Sequence, residues 1–419
     1  MLKIVHLISC GIDVHKKFVV ATIATTGSNN ITTYKTKQFN TFTSDLIKLR
    51  DWLSLNGCIE VCMESTGKYW IPIYNILESS CTITLANPKF IKNIPGKKTD
   101  KRDSIWISDL HKHGLVRGSF IPPKQIRELR DLMRYKVKLT NFRSSEKNRF
   151  QNSLTVSNLM IASVVSDTFG KSSKAIIKYA LEHPDNINMD FSQFLHKRMI
   201  DKAESINLSM QGNISKEQCS KMNVCLKHYD YINACIEQLD EAISLISKEF
   251  LSSINLIETI PGITSNSAVG IISEIGVDMS VFPDAKHLCS WAGLTPQNNE
   301  SAGKKKSVRI SRAGVYLKPL LIQCANACIK SKSCPYFKYR YESIKKRRGH
   351  KRAIIAIARM LLTCIYNMLS KNEVFNEPLY KEYLDSATKP QNKNIDKMIL
   401  FLQSRGFEIT HMCDNKSSP

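Results

Sequence analysis

Ile4-Val-His-Leu-Ile-Ser-Cys-Gly-Ile-Asp-Val-His-Lys-Lys-Phe-Val-Val-Ala-Thr-Ile23 is the stretch that decides the fold of the N-terminal part. Ile4 to Ile12 is apolar and rich in β-branched residues, His15-Lys-Lys17 is a polar turn, and Phe18 to Ile23 is a second strand closed by Thr26-Gly-Ser-Asn-Asn30. The pair predicts a β-hairpin. Outward from it, Ile31 to Phe39 reads as a third strand, Thr43-Ser-Asp45 caps a helix through Leu55, and Cys58 to Met63 forms a fourth strand. A helix over Tyr69 to Ser79, a fifth strand over Cys81 to Ala86 and a helix from Lys101 to His113, ended by Gly114, complete the unit. Three meandering strands followed by alternating helices and strands predict a mixed α/β sheet.

That order suits the ribonuclease H type of sheet. From about Lys124 the character changes to long charged helical stretches, Gln125 to Lys147 and Leu226 to Leu251. Leu129, Leu132, Tyr135 and Leu139 recur every three to four residues, which fits a coiled coil or bundle, so a helical arm is expected over 124–253. Asp185 to Ser215 is polar and reads as a connector. Residues 254–375 read as a mainly helical third domain. In it Ile257-Glu-Thr-Ile-Pro-Gly-Ile263 and Ala268 to Gly276 form two helices about a Pro-Gly turn, a helix-hairpin-helix-like element suited to phosphate backbone. The first domain is bounded at 1–123, and 376–419 reads as a polar tail.

The 419 residues carry 60 Lys+Arg against 37 Asp+Glu, a formal charge of +23, so a polyanion is the natural partner. No apolar run is read as long enough to span a bilayer, and no membrane partner is expected. Met1 to Cys10 has the look of a short signal peptide, but Gly11-Ile-Asp13 ends it, and it is read as a strand. Thirteen cysteines without Cys-x-x-Cys pairs point to reduced, buried thiols and a cytoplasmic protein. Cys58/Cys62 and Cys324/Cys328, each four apart, are read as core residues on a strand and a helix, not as metal ligands.

Asp13 closes the first strand, Glu64 follows the fourth, and Asp100 and Asp103 stand three apart where a loop enters a helix. Carboxylates at strand ends and on the adjoining helix can meet at one edge of such a sheet. Divalent metal relieves their repulsion, and two Mg2+ ions about 3.5–4 Å apart can activate the attacking oxygen and stabilise the leaving one in phosphodiester cleavage. The alternative for each acid is a solvated or capping role, most directly for Asp100, because Thr99-Asp100 opens a helix. Glu60 and Asp109 are left out of the set.

Gly11-Ile-Asp-Val-His-Lys16, Glu64-Ser-Thr-Gly-Lys-Tyr69, Asn87-Pro88 and Lys98-Thr-Asp-Lys-Arg-Asp103 resemble, in order, the RuvC-like N-terminal domain of the DEDD transposases of bacterial insertion sequences, the bridge-RNA-guided recombinases. Ile260-Pro-Gly-Ile263, Phe282, Trp291-Ala-Gly-Leu-Thr-Pro296, Glu300-Ser-Ala-Gly303 and Ile310-Ser-Arg-Ala-Gly314 resemble the second domain of that family. The resemblance implies that Asp13, Glu64, Asp100 and Asp103 are an acidic, metal-binding tetrad and that Ser301 is a nucleophile working with the metal site, between protomers. It further implies target and donor DNA, a structured noncoding guide (bridge) RNA, a homo-oligomer (dimer or tetramer) and a nucleoid-associated location. The family has Ala after the last acid where this chain has Ser104, and here Ala302 separates Ser301 from Gly303.

Around Ser301 the sequence reads as a flexible cationic loop, with Lys304, Lys305, Lys306, Arg309 and Arg312 available to a phosphate. Tyr336-Phe-Lys-Tyr-Arg-Tyr341 leads into a second basic run; Tyr339, Arg340, Lys345, Lys346, Arg347 and Arg348 suit stacking on unpaired bases with phosphate contact. The other reading is a solvated basic face whose tyrosines point inward. Three functions stay open on the residues alone: a serine recombinase, a resolvase-like endonuclease using metal-activated water, and a nucleic-acid-binding scaffold with an inactive site.

Overall fold

The structure, a computed structural model, describes residues 3–91, 99–185, 187, 189–296, 299–301, 304–307 and 309–376, with the side chains of 89, 90, 299–301 and 304–307 outside that description. These residues form two compact units, Met1–Pro122 and Pro123–Pro419. In the first, β1 (Ile8–Val14), β2 (Phe18–Thr26) and β3 (Thr32–Asn40) precede α1 (Thr43–Leu55), β4 (Glu60–Glu64), α2 (Trp70–Leu77), β5 (Thr82–Ala86), the short α3 (Pro88–Ile91) and α4 (Asp100–Lys112). The sheet order is β3-β2-β1-β4-β5, with β1, β2 and β3 antiparallel and β1, β4 and β5 parallel. This is the mixed five-stranded sheet expected of the ribonuclease H type. The largest difference is at the start of β1, where Ile4 to Leu7 stand outside the strand and Val5 and His6 instead donate to the Lys112 carbonyl; β2, β4, α2 and β5 differ by one to three residues at their ends.

Strand alternation sorts β1 into two faces. Cys10, Ile12 and Val14 join Leu46, Leu49 and Leu53 of α1 and Ile73 and Leu77 of α2 in one core. Ser9, Gly11 and Asp13 face α4. A Cβ on Gly11 would lie 2.2 Å from the Ser104 carbonyl oxygen and 2.3 Å from the Ser108 nitrogen, so the backbone of α4 rests directly on β1. Ser104 is buried there and its Oγ bonds to Thr22 Oγ1 at 2.7 Å, which supplies a polar partner where the family's Ala would have none. At the other end of this seat, buried His111 of α4 shares hydrogen bonds with Ser9 Oγ (2.9 Å) and Thr84 Oγ1 (3.2 Å), and its ring stacks on His6 at 4.7 Å. His6 and Glu60 stand close by, 3.8 Å apart, but the two hydroxyls occupy both nitrogens of His111.

The second unit is helical. α5 (Lys124–Val156), α6 (Ile161–Val164), α7 (Lys171–Glu182), α8 (Ala203–Ser209) and α9 (Lys216–Ser247) come first, with 3-10 turns at Ser192–Phe194 and Lys197–Lys202. α5 and α9 run antiparallel: Leu139 meets Ile232 and Ile236, while Phe150 and Leu154 share a core with Met222 and Cys225. α5 extends beyond its expected span, while α9 starts ten residues early, where Ser215 caps it by accepting from the Gln218 amide, and ends at Ser247, short of Leu251. The stretch read as a polar connector is instead built into this core, through Ile187, Phe191, Ile206, Met210 and Ile214. Its apolar anchors are irregularly spaced among Asn and Ser, so no periodicity betrays them.

α10 (Leu251–Glu258), α11 (Ser265–Ile275), α12 (Ala285–Trp291), strands β6 (Asn299–Ser301) and β7 (Lys304–Ser307), α13 (Leu317–Cys328), α14 (Pro335–Arg348) and α15 (His350–Lys371) complete the unit. Gly262, at φ +91, turns the chain between α10 and α11, and a Cβ there would strike the Cys328 nitrogen at 2.6 Å, so this side of the turn is covered by α13. Arg130 and Arg134, one turn apart on α5, grip the end of α11: Arg130 donates to the Ser273 and Glu274 carbonyls at 2.9 and 2.7 Å, and Arg134 forms a two-pronged pair with the buried Glu274 carboxylate at 2.7 and 2.8 Å. α15 corrects one expectation, since its 22 residues are long and apolar enough to cross a membrane by composition. Arg359, Thr363 and Asn367 interrupt its apolar residues, so no unbroken run marks it in the sequence. Its Ile354, Ile357, Leu361, Leu362 and Ile365 are buried within the unit, as in a core helix. The cysteines behave as expected: Cys58, Cys62 and Cys328 are free, and burial pushes each thiol up to about 12.

Gly11→Ala is expected to lower stability by about 1–3 kcal/mol, because the methyl group has only backbone to displace; urea unfolding checks it. A second expectation concerns His111, whose pKa burial and then His6 depress to about 4. A depressed folded-state value means stability is intact above the unfolded value near 6.5 and is lost as pH falls toward 4, by on the order of 3 kcal/mol at full protonation. Urea midpoints of wild type and His111→Gln measured across that window should diverge; parallel curves would refute the assignment.

Candidate functional site

Asp13 reaches the candidate site from the open end of β1, on the α4 face. The parallel register sets Ile12 beside Met63, so Asp13 and Glu64 are cross-strand neighbours at the carboxyl ends of β1 and β4. Asp100 and Asp103 lie in the first turn of α4, where Thr99 caps the helix by accepting from the Arg102 amide at 3.3 Å. Because α4 sits flat on Gly11, its N-terminus overhangs Asp13. Asp13 is 8% exposed. Its pKa is raised above the ordinary carboxylate value, first by burial and further by the charges of Asp100 and Asp103, with His15 acting against them.

This arrangement suits a hard divalent cation. A shielded carboxylate crowded by two others keeps its charge at a cost that a cation would remove. Asp13 and Asp100 are therefore neighbours in space, with Asp103 near enough for its charge to act on Asp13, while Glu64 lies one register step on at the end of β4, outside that cluster of donor atoms, its Oε1 accepting from Thr66 Oγ1 at 3.3 Å. Asp109, left out of the set, pairs with Lys112 and Tyr34 away from this end of the sheet. His15 was missed by the sequence reading, although it follows Asp13 by two residues: its Nε2 is 3.1 Å from Asp13 Oδ2 and 3.5 Å from Asp100 Oδ1.

Ser301 ends β6 and pairs with Lys304 of β7, so the segment read as a loop is a two-stranded hairpin. The Ser301 side chain and those of Lys304, Lys305 and Lys306, like Ala302 and Gly303, lie outside the described residues. The frame of the hairpin is visible. A Pro296–Ile310 bridge closes its base, and the flanking motif turns touch backbone to backbone, Gly314 against the Ala292 carbonyl and Gly293 against the Ala313 carbonyl. Lys318 Nζ donates to the Ser311 carbonyl at 2.7 Å beside them. Arg309 and Arg312 are exposed next to this frame. On α14 the two readings of the tyrosines divide: Tyr336 and Tyr341 are buried, Tyr339 is 41% exposed, and Lys345, Lys346, Arg347 and Arg348 face solvent, with Arg340 part-buried. The tail beyond 376 lies outside the described residues.

A mixed sheet with acids gathered at the parallel strand ends defines a class, the α/β domains whose site is built for a divalent cation. Comparison with known proteins makes the family specific. Residues 10–158 match the DEDD transposase family of IS110, and residues 254–342 match the family described as Transposase IS116/IS110/IS902. The pilin gene-inverting protein of Moraxella bovis is 32% identical over 157 residues, covering 35% of this chain and 47% of that protein. Its namesake from Moraxella lacunata is 32% identical over 135 residues, covering 30% and 40%. The transposase for insertion sequence element IS1111A of Coxiella burnetii is 28% identical over 123 residues, covering 28% and 33%. The chain thus spans less than half the length of each relative it matches. It belongs to the DEDD transposase family of insertion sequences.

With the raised pKa of Asp13, the sign is set: a carboxyl whose folded value lies above its unfolded value contributes stability at acid pH that is lost as pH rises through the folded value. Asp13→Asn should therefore melt higher than wild type at pH 7 without metal. Added Mg2+ or Mn2+ should reverse the order, stabilising wild type by about 2.7 kcal/mol at a hundredfold excess over Kd and leaving the variant unmoved. Equal responses of the two proteins in thermal melts would show that the acids do not hold the ion.

Proposed function

We propose that this protein is a transposase that breaks and rejoins DNA strands, with Asp13, Glu64, Asp100 and Asp103 binding divalent metal, Mg2+ in a two-ion arrangement, and Ser301 as nucleophile. The observation that carries the reading is the crowding of Asp13 by Asp100 and Asp103 at one sheet end, in a member of a transposase family. Bound metal would supply charge neutralisation at the phosphate and acidify the attacking group. Ser301 Oγ attacks the phosphorus, the bond to one strand oxygen breaks, the serine proton passes to a nearby base, and the departing strand oxygen leaves as a hydroxyl after protonation. The phosphoserine link conserves the ester energy, so a second strand hydroxyl can displace Ser301 and restore a continuous backbone without an external energy source.

Lys304, Lys305, Lys306, Arg309 and Arg312 neutralise the phosphate next to the serine in this reading, while Tyr339, Arg340, Lys345, Lys346, Arg347 and Arg348 hold nucleic acid along α14. The exposed basic end of α14 and the charge of +23 support a polyanionic partner. Target and donor DNA are the substrates, a bridge RNA guides them, and a homo-oligomer, dimer or tetramer, brings the strands together in the cytoplasm at the nucleoid. The Moraxella relatives are named for inverting a pilin gene, which supports a role in rearranging DNA. Residues 124–253 serve assembly in this scheme, and 254–375 carry the serine.

Denaturing gels of labelled DNA incubated with protein, guide RNA and metal test the scheme. Wild type should form a covalent protein–DNA species that Ser301→Ala lacks, with recombination down by about a thousandfold or more, and Asp13→Ala should lose cleavage. Normal recombination by Ser301→Ala would overturn the serine step in favour of metal-activated water, and cleavage surviving in Asp13→Ala would overturn the metal site.

A further inference from the structure

Three donor groups, and not only carboxylates, meet above β1. His15 stands between Asp13 and Asp100, and the donor atoms of the three lie within 4.8 Å of one another. The His15 ring is held in place: its backbone amide donates to the Phe18 carbonyl at 3.0 Å, closing the β1–β2 turn, and the ring rests on Phe18 at 4.7 Å. An imidazole so placed can be a counter-ion to the acids or a ligand to the ion they bind.

The geometry favours the ligand. Neighbouring ligands on an octahedral ion with bonds of about 2.1 Å are separated by about 3.0 Å. The 3.1 Å from Nε2 to Asp13 Oδ2 fits one edge of such a polyhedron, and the 3.5 Å to Asp100 Oδ1 a slightly opened second edge. A single N–H cannot point at both oxygens, and 3.5 Å is too long for a good hydrogen bond, so a counter-ion role satisfies only Asp13. One cation inside the triangle would satisfy all three. We propose that His15 is a direct nitrogen ligand of the ion held by Asp13 and Asp100, and that it raises the affinity of this site for transition ions such as Mn2+ while adding nothing to that for Mg2+. Mg2+ is satisfied by oxygen, whereas imidazole adds affinity for softer divalent ions. The inference rests on reading the four acids as the metal site, and it assigns that site's ion selectivity to one side chain.

The test uses full-length protein without nucleic acid and measures binding, not activity. Mn2+ affinity is read by EPR, Mg2+ affinity by competition, and the ligand by pulsed EPR, which detects a directly bound nitrogen. Wild type should show 14N modulation that His15→Ala lacks, and the variant should bind Mn2+ about tenfold more weakly while its Mg2+ affinity holds. His15→Gln provides the same comparison if the alanine variant fails to fold. An unchanged 14N signal, an equal loss for both ions, or tighter Mn2+ binding by the variants would overturn the ligand role, the last identifying His15 as a counter-ion that competes for the acids. Tight Mn2+ binding by Asp13→Asn would overturn the metal-site reading beneath it.

Discussion

The contact on which the first unit depends is backbone on backbone. With no side chain at Gly11, α4 approaches β1 until the Ser104 carbonyl and Ser108 amide sit where a Cβ would be. Helix and strand usually keep a layer of side chains between them; here the layer is missing at one point. The acids of the first turn of α4 are thereby brought over Asp13, and the far end of the helix is brought over Ser9, where His111 docks. Helix position and site geometry are one quantity, set by a residue that has no chemistry of its own.

Much of the first unit was legible because alternation and turn residues encode it locally. The five strands and the helix after Thr43 follow from period-two patterning and capping, and the placement of Asp13, Glu64 and Asp100 at element ends was legible with them. His15 escaped because a turn histidine reads as polar punctuation; the alternation that put Asp13 on the α4 face could have carried the reading two residues further. In the second unit the failures share a cause. The 185–215 segment is held by Phe191, Ile206 and Met210, which share a core with residues of the flanking α7 and α9 and of α5, tens of residues away in sequence. The basic hairpin of β6 and β7 is three to four residues a strand and lacks the alternation by which strands are recognised.

The frame around that hairpin shows how two separate motifs become one object. Gly293 and Gly314 allow the Trp291-Ala-Gly and Arg312-Ala-Gly turns to touch through their carbonyls, and Lys318 ties the second turn from α13. A charged group directed at backbone carbonyls fixes the base of the hairpin.

The grip of Arg130 and Arg134 on the end of α11 has a mechanical consequence. α5 is 33 residues long, on the order of 50 Å, and is stiffened along its length by α9. Its near end is fixed by a two-pronged ion pair and two carbonyl bonds, which set its direction as well as its position. Phe150 and Leu154 sit at the far tip of α5, and at its near end Arg134 lies 4.8 Å over the Tyr316 ring, so one side chain joins the clamp on α11 to the start of α13.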